Sequence, residues 1–126
     1  MFNSKHELAL QMRAAHDTSY PLHWDFSAAG GIDYGEDHKA AALRELKEEL
    51  GIENEITFIG EDEFRSETKT DKLYLYKTIY DGPFNPDPDE VASVQIFSLE
   101  KIRKMIETGD KFHPEFLYLW RKGIIK

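Results

Sequence analysis

GGIDYGEDHKAAALRELKEELGI, residues 30–52, is the stretch from which the rest of the chain is read. Its glycines, Gly30, Gly31 and Gly35, predict a tight loop over 32–36 where backbone can approach a ligand closely. The pattern beyond predicts a helix from about Asp37 to Leu50, with Asp37 as cap and Gly51 as the left-handed stop. At about 100° per residue, Glu45, Glu48 and Glu49 fall on one face, and Leu43, Leu46 and Leu50 form a neighbouring apolar stripe. Like charges at that spacing repel by a few tenths of a kcal/mol per pair. A positive group is therefore expected among them, and a divalent metal carrying a phosphate is the expected one.

The chain has 126 residues, 40% hydrophobic and 13% aromatic, with a net charge of −8 and no cysteine. That length and apolar content suit one domain, residues 1–126, with one core. The negative balance argues against nucleic-acid polymers and anionic membrane surfaces as partners. Without cysteine there is no disulfide, zinc–thiolate site or thiol nucleophile. No apolar run approaches a membrane span, and MFNSKHELALQ lacks the features of a signal peptide, so a cytoplasmic protein is expected.

Outward from residues 30–52, period-two alternation of Leu8, Leu10 and Met12 predicts a strand with one apolar face, ending near Arg13. Residues 1–4 read as the tail of an earlier strand, with 3–6 as the turn. Trp24 and Phe26 alternate in a short extended piece. Two strand-like runs follow, from about Glu55 to Ile59 or on to Arg65, and from Lys72 to Tyr80. Glu61-Asp62-Glu63 is expected to be a solvated turn between them. Prolines make 85–89 a loop, and 91–97 reads as a strand. Ser98 caps a helix to about Thr108, and Pro114 opens a last helix through Lys122. This irregular alternation predicts an α+β fold, an α-β-α sandwich, rather than a doubly wound sheet.

The glycine loop and acidic helix resemble the Nudix box, a pattern met here by Gly30, Glu36, Arg44-Glu45, Leu46, Glu48-Glu49, Gly51 and Ile52. The resemblance implies the Nudix fold, with a mixed central sheet, and a pyrophosphohydrolase. It implies metal ligation, of Mg²⁺ or Mn²⁺, by Glu45, Glu48 and Glu49, joined by the backbone carbonyl of Ala29. Hard carboxylate oxygens suit those ions. It further implies that Arg44 orients the acids through a salt bridge and that Glu36 braces the loop. A further acid on the loop before the last strand would act as ligand or general base. Glu90 is the first choice for it, with Glu67 and Asp71 behind.

Most of the chain, through LALQMRA, HWDFSAAGG, DEVASVQIFSLEKI and FHPEF, is similar to the branch near isopentenyl-diphosphate isomerase. That isomerase needs a cysteine before the Gly of the box and a histidine after it, where this chain has Ala29 and Gly31. The expected reaction is therefore hydrolysis of a small-molecule diphosphate, a nucleoside diphosphate linked to another moiety. An isomerase-like enzyme and a catalytically silent binding module are the alternatives. The strand that usually precedes LALQMRA is short or missing here, which leaves a truncated start, a minimal domain or a homodimer partner over the edge. Arg13 is a candidate phosphate contact. Trp24, Phe26 and Tyr34, flanking the glycine loop, are candidates to stack on a base or ring, with core packing as the competing role of the aromatics.

Overall fold

The computed structural model describes residues 1–30, 32 and 34–126; Gly31, part of the expected glycine loop, lies outside them. The elements are β1 (Leu8–Arg13), β2 (Trp24–Asp25), α1 (His38–Leu50), β3 (Thr57–Arg65), β4 (Thr70–Lys77), β5 (Val91–Phe97), α2 (Leu99–Glu107) and α3 (Pro114–Arg121). β1 is the centre of an antiparallel sheet ordered β2-β1-β5, and β3 and β4 form a separate hairpin.

A central strand is covered on both faces, so the expected single apolar face of β1 is corrected: Leu8, Ala9, Leu10 and Gln11 are all buried. Leu8 and Leu10 join Ile102, Met105, Phe112 and Phe116 in a cluster under α2 and α3. On the opposite side, α1 buries Leu46 and Leu50 with Ile52, against Ala28 and Val94. The result is an α-β-α sandwich. Residue Phe2 supplies the joint between the sheets, pairing antiparallel with Leu8 and parallel with Ile79. Its N–H donates to Thr78 O at 2.9 Å and its carbonyl accepts from Tyr80 N at 2.8 Å. The expected strand tail and its turn are thus present, and they make the sheet mixed.

The acid stretch Glu61–Glu63 is corrected from a turn to the middle of β3, which pairs with β4 from Thr57↔Lys77 to Arg65↔Thr70. The turn falls at 66–69 instead, where Ser66 N donates to Lys69 O at 2.9 Å. Asp62 is tolerated inside the strand because Lys122 Nζ (2.6 Å) and Tyr118 Oη (2.9 Å) of α3 donate to it. Lys122 leads the effects that hold its carboxyl below the usual range.

Candidate active site

Helix α1 begins and ends as its sequence dictates. Asp37 accepts from Ala40 N at 2.7 Å, and Gly51 closes the helix at φ 67°, a left-handed turn that favours glycine. Gly51 also leaves no room for a Cβ, which would stand 2.7 Å from Asn85 O. The face that α1 buries is rotated from the apolar stripe toward the acids. Leu43 is 38% exposed, whereas Ala41 and Glu49 are buried with Leu46 and Leu50. Glu49 therefore sits within the buried arc of its own helix.

Around Glu49 the core has been built to receive one oxygen and not the other. Gln11 Nε2, from the middle of β1, donates to Glu49 Oε1 at 2.6 Å and to Ser27 O at 3.1 Å. Ala29 N approaches the same Oε1 at 3.5 Å. Among the described residues no hydrogen-bond donor reaches the buried Glu49 Oε2, and the Glu45 carboxyl stands beside Glu49. Burial foremost, then the adjoining Glu45 carboxyl, push the Glu49 acid up to about 9. A buried oxygen without a donor is costly in an apolar surrounding.

Arg44 gathers the neighbouring acids. Its Nε and Nη2 take both oxygens of Glu36, at 2.8 and 3.0 Å, while Nη1 reaches Glu45 Oε1 at 2.7 Å and Glu48 Oε2 at 3.2 Å. Gly30 completes the cradle: a Cβ there would overlap the Glu45 carboxyl group. Glu90 arrives from the proline loop, which is pinned to the end of α1 by Asn85 N to Leu50 O (2.9 Å) and Asp87 N to Glu49 O (3.1 Å). Burial, then Asp87, Glu45 and Glu48, raise the Glu90 carboxyl above its ordinary value. Glu36, Arg44, Glu45, Glu48, Glu49 and Glu90 thus form one electrostatic group.

A hard divalent cation fits this group by three observations: an orphaned buried carboxylate oxygen, an all-oxygen donor set, and a glycine cradle. Among the described residues no three acid or histidine side chains already converge on one point as ligands. Arg44 holds Glu45 and Glu48 in ion pairs, which gives the physical reason.

Glu45 and Gly30 lie on the wall of a cleft of about 1170 Å³ between the three-stranded sheet and the hairpin. Arg13 lines it too, but its guanidinium is engaged by Asp25 (2.9 Å), Asp17 (2.9 Å) and Ser19 O (3.0 Å). Trp24 is corrected from a stacking candidate to a packing residue. Its ring meets Phe97 edge-on at 5.3 Å and packs on the cluster under α2 and α3. Phe26 packs on Phe116 at 5.1 Å and also lines the cleft. Tyr34 is fully exposed. Of the alternatives to Glu90, Glu67 is exposed in the hairpin turn, and Asp71 is paired with Lys69 at 3.4 Å and raises the nearby Glu115 carboxyl.

Residues 1–120 match the NUDIX domain family. The chain belongs to the Nudix family. It is 31% identical over 118 residues to an uncharacterised Nudix hydrolase of Listeria innocua, covering 92% of this chain and 69% of that one. It is 28% identical over 163 aligned positions to chloroplastic isopentenyl-diphosphate Delta-isomerase 1 of Cannabis sativa, and spans 57% of that protein's length. The crystal structure of a MutT protein from Methanosarcina mazei superposes with a TM-score of 0.81 at 22% identity, covering 96% of this chain and 85% of that one. The structural likeness establishes the Nudix fold.

Site residues missed in the sequence are those that serve Nudix positions from a distance. Gln11 had a signal: it is the polar residue inside the apolar run LALQM, which alternation alone assigned to solvent. His113 was not missed: its place before Pro114 suggests a helix cap, and it accepts from Glu115 N at 3.1 Å at the start of α3.

Proposed function

We propose that this chain is a metal-dependent pyrophosphohydrolase acting on a nucleoside diphosphate linked to another moiety. The observation that carries the reading is the buried, unpartnered Glu49 Oε2 within a group of acids drawn together by Arg44. Glu45, Glu48, Glu49 and the Ala29 carbonyl would hold Mg²⁺ or Mn²⁺, which would supply charge neutralisation at the pyrophosphate and a more acidic water. The chain's own residues do the rest. Gln11 fixes one oxygen of Glu49 so that the other points to the ligand. Arg44 keeps Glu45 and Glu48 aligned, and Glu36 anchors Arg44. Glu90, whose carboxyl binds its proton more tightly than an ordinary one, takes the proton of the attacking water. Attack at phosphorus breaks the P–O bond of the diphosphate bridge, and the leaving phosphate departs with the bridging oxygen.

The isomerase relatives support a second reading, isomerisation of an isoprenoid diphosphate. Ala29 and the absence of cysteine argue against it, since proton transfer through a thiol has no group here. One experiment separates the two: release of nucleotides and other phosphate monoesters, with phosphate and pyrophosphate, and any isomerised product, read by ³¹P NMR and mass spectrometry, from nucleoside triphosphates, nucleotide sugars, ADP-ribose, dinucleoside polyphosphates and isoprenoid diphosphates, with Mg²⁺ and with Mn²⁺. Release from a nucleoside diphosphate conjugate is the expected result. Isomerised isopentenyl diphosphate would replace hydrolysis by the second reading.

A further inference from the structure

Helix α1 turns more than its acids toward the cleft. His38, its first residue, precedes Glu45 by seven positions, close to two full turns, so the two side chains share a face about 10 Å apart along the axis. Both line the cleft, as do Ala41 and Ala42 between them. His38 is not isolated there. Its ring lies flat on Tyr74 of β4, with centroids 4.2 Å apart and planes 3° from parallel. Its Nδ1 is 2.5 Å from Tyr76 Oη, and Phe58 of β3 packs beside both rings at 5.4 and 5.3 Å. Phe58 remains 48% exposed.

We infer that this His38–Tyr74–Tyr76 surface is the specificity wall of the cleft and takes a flat heteroaromatic ring, the base of a nucleotide, while the Glu45 end of the same helix face takes the diphosphate. The inference rests on the proposed hydrolase reading and gives the substrate a class and a direction. The spacing matches a base and a phosphate separated by one sugar. A hydrocarbon chain would also fit a greasy wall, but this wall carries polar edges. The Tyr76 hydroxyl, bonded to His38 Nδ1, and the second ring nitrogen of His38 are polar groups that a base can meet with its donors and acceptors and a prenyl chain cannot. Charge complements the arrangement, since Lys72 Nζ lies 5.5 Å from the Tyr74 ring centre, a cation placed where electron-rich rings gather.

The test has two arms. In the first, nucleoside monophosphates are added to the isotope-labelled wild-type protein, and the ring resonances of His38, Tyr74 and Tyr76 are followed by NMR. Perturbation of those rings, with little change under inorganic phosphate, supports the inference; unperturbed rings overturn it. In the second, KM is compared for a nucleotide sugar and for an isoprenoid diphosphate. His38→Ala and Tyr74→Leu are expected to raise KM for the nucleotide sugar by roughly tenfold, with kcat and the isoprenoid KM unchanged. His38→Phe, which restores a ring, is expected to recover most of the loss. An equal rise for both substrates overturns the inference and leaves the wall a structural tie between α1 and the hairpin. If the wild type hydrolyses no diphosphate, the hydrolase reading fails, while the NMR arm still decides where a base binds.

Discussion

Two groups of acids share the walls of one cleft, and each holds an arginine and a carboxyl that keeps its proton unusually tightly. On α1, Arg44 binds Glu36, Glu45 and Glu48, and burial drives Glu49 up to about 9. Toward α3, Arg13 binds Asp17 and Asp25, and burial followed by Asp71 drives Glu115 up to about 7. The difference is in what remains unsatisfied. Glu115 stands in the first turn of its helix, where the helix dipole favours an acid, and its neighbour Asp71 is paired with Lys69 at 3.4 Å. Glu49 stands in the last turn of α1, where the dipole disfavours an acid, and no donor among the described residues reaches its Oε2. On the reading proposed above, a cation would satisfy the first group, and the second needs none.

Removing charge from each group should break the symmetry most sharply. Glu48→Gln or Glu49→Gln is expected to lower kcat/KM by roughly 10³-fold or more on the substrate that the diphosphate panel identifies. Asp71→Asn or Glu115→Gln is expected to change it by less than about tenfold. Comparable losses in both groups would show that the cleft works as one acid network. Gly30→Ala should come next. The added methyl displaces the Glu45 carboxyl, the far end of a flexible side chain, so the fold survives while the cradle is lost. A loss on the order of 10²-fold is expected, with a melting temperature within a few degrees of wild type. Normal turnover in this variant would remove Glu45 from the machinery.

The two groups also differ in how far the sequence discloses them. The box residues lie within one loop and one helix, so spacing alone places Glu45, Glu48 and Glu49 together and sets the caps at Asp37 and Gly51. Arg13, Asp25, Asp71 and Glu115 come from four separate elements, and only the closed fold brings them to one wall. The same limit applies to Gln11 and to the His38–Tyr76 contact. β1 reads as a strand with one solvent face because alternation reports polarity, not position in the sheet; its central place, set by pairing with both β2 and β5, makes Gln11 a buried donor. Glu61–Glu63 misleads for a related reason, since Lys122 and Tyr118 that make Asp62 acceptable in a strand lie about 60 residues away. Helix rotation is a third case: Leu43 is apolar enough for the core, but burying Glu49 turns it outward.

Metal titration should sharpen the contrast at equilibrium. Adding Mn²⁺ or Mg²⁺ to the metal-free protein is expected to raise its melting temperature by several degrees, as any ligand specific to the native state does. Glu115→Gln should retain that rise, and Glu49→Gln should lose most of it. Retention in Glu49→Gln would separate the orphan oxygen from the metal.

The smallest effect is the pH dependence of stability without metal, and it distinguishes the two raised carboxyls by window. Both bind a proton more tightly folded than unfolded, where the ordinary value is 4.5. The stability each contributes is full below about 4.5 and is lost as pH rises through its folded value, because above that the native state must hold a buried charge. For Glu115 the loss is complete near pH 7; for Glu49 it continues to about pH 9. Metal-free wild type should therefore lose stability steadily from pH 5 to 9. Glu115→Gln should make the curve less steep below about pH 7, where Glu49 alone still contributes, and leave the fall above it. Glu49→Gln should remove the fall from pH 7 to 9 and raise the melting temperature at pH 8 by roughly 2–6 °C, a neutral amide replacing a poorly solvated charge. Denaturant melts of the three proteins across that range would check it. A curve in wild type that is flat above pH 7 would mean that Glu49 ionises without penalty, which would withdraw the strained oxygen that the cation is proposed to satisfy.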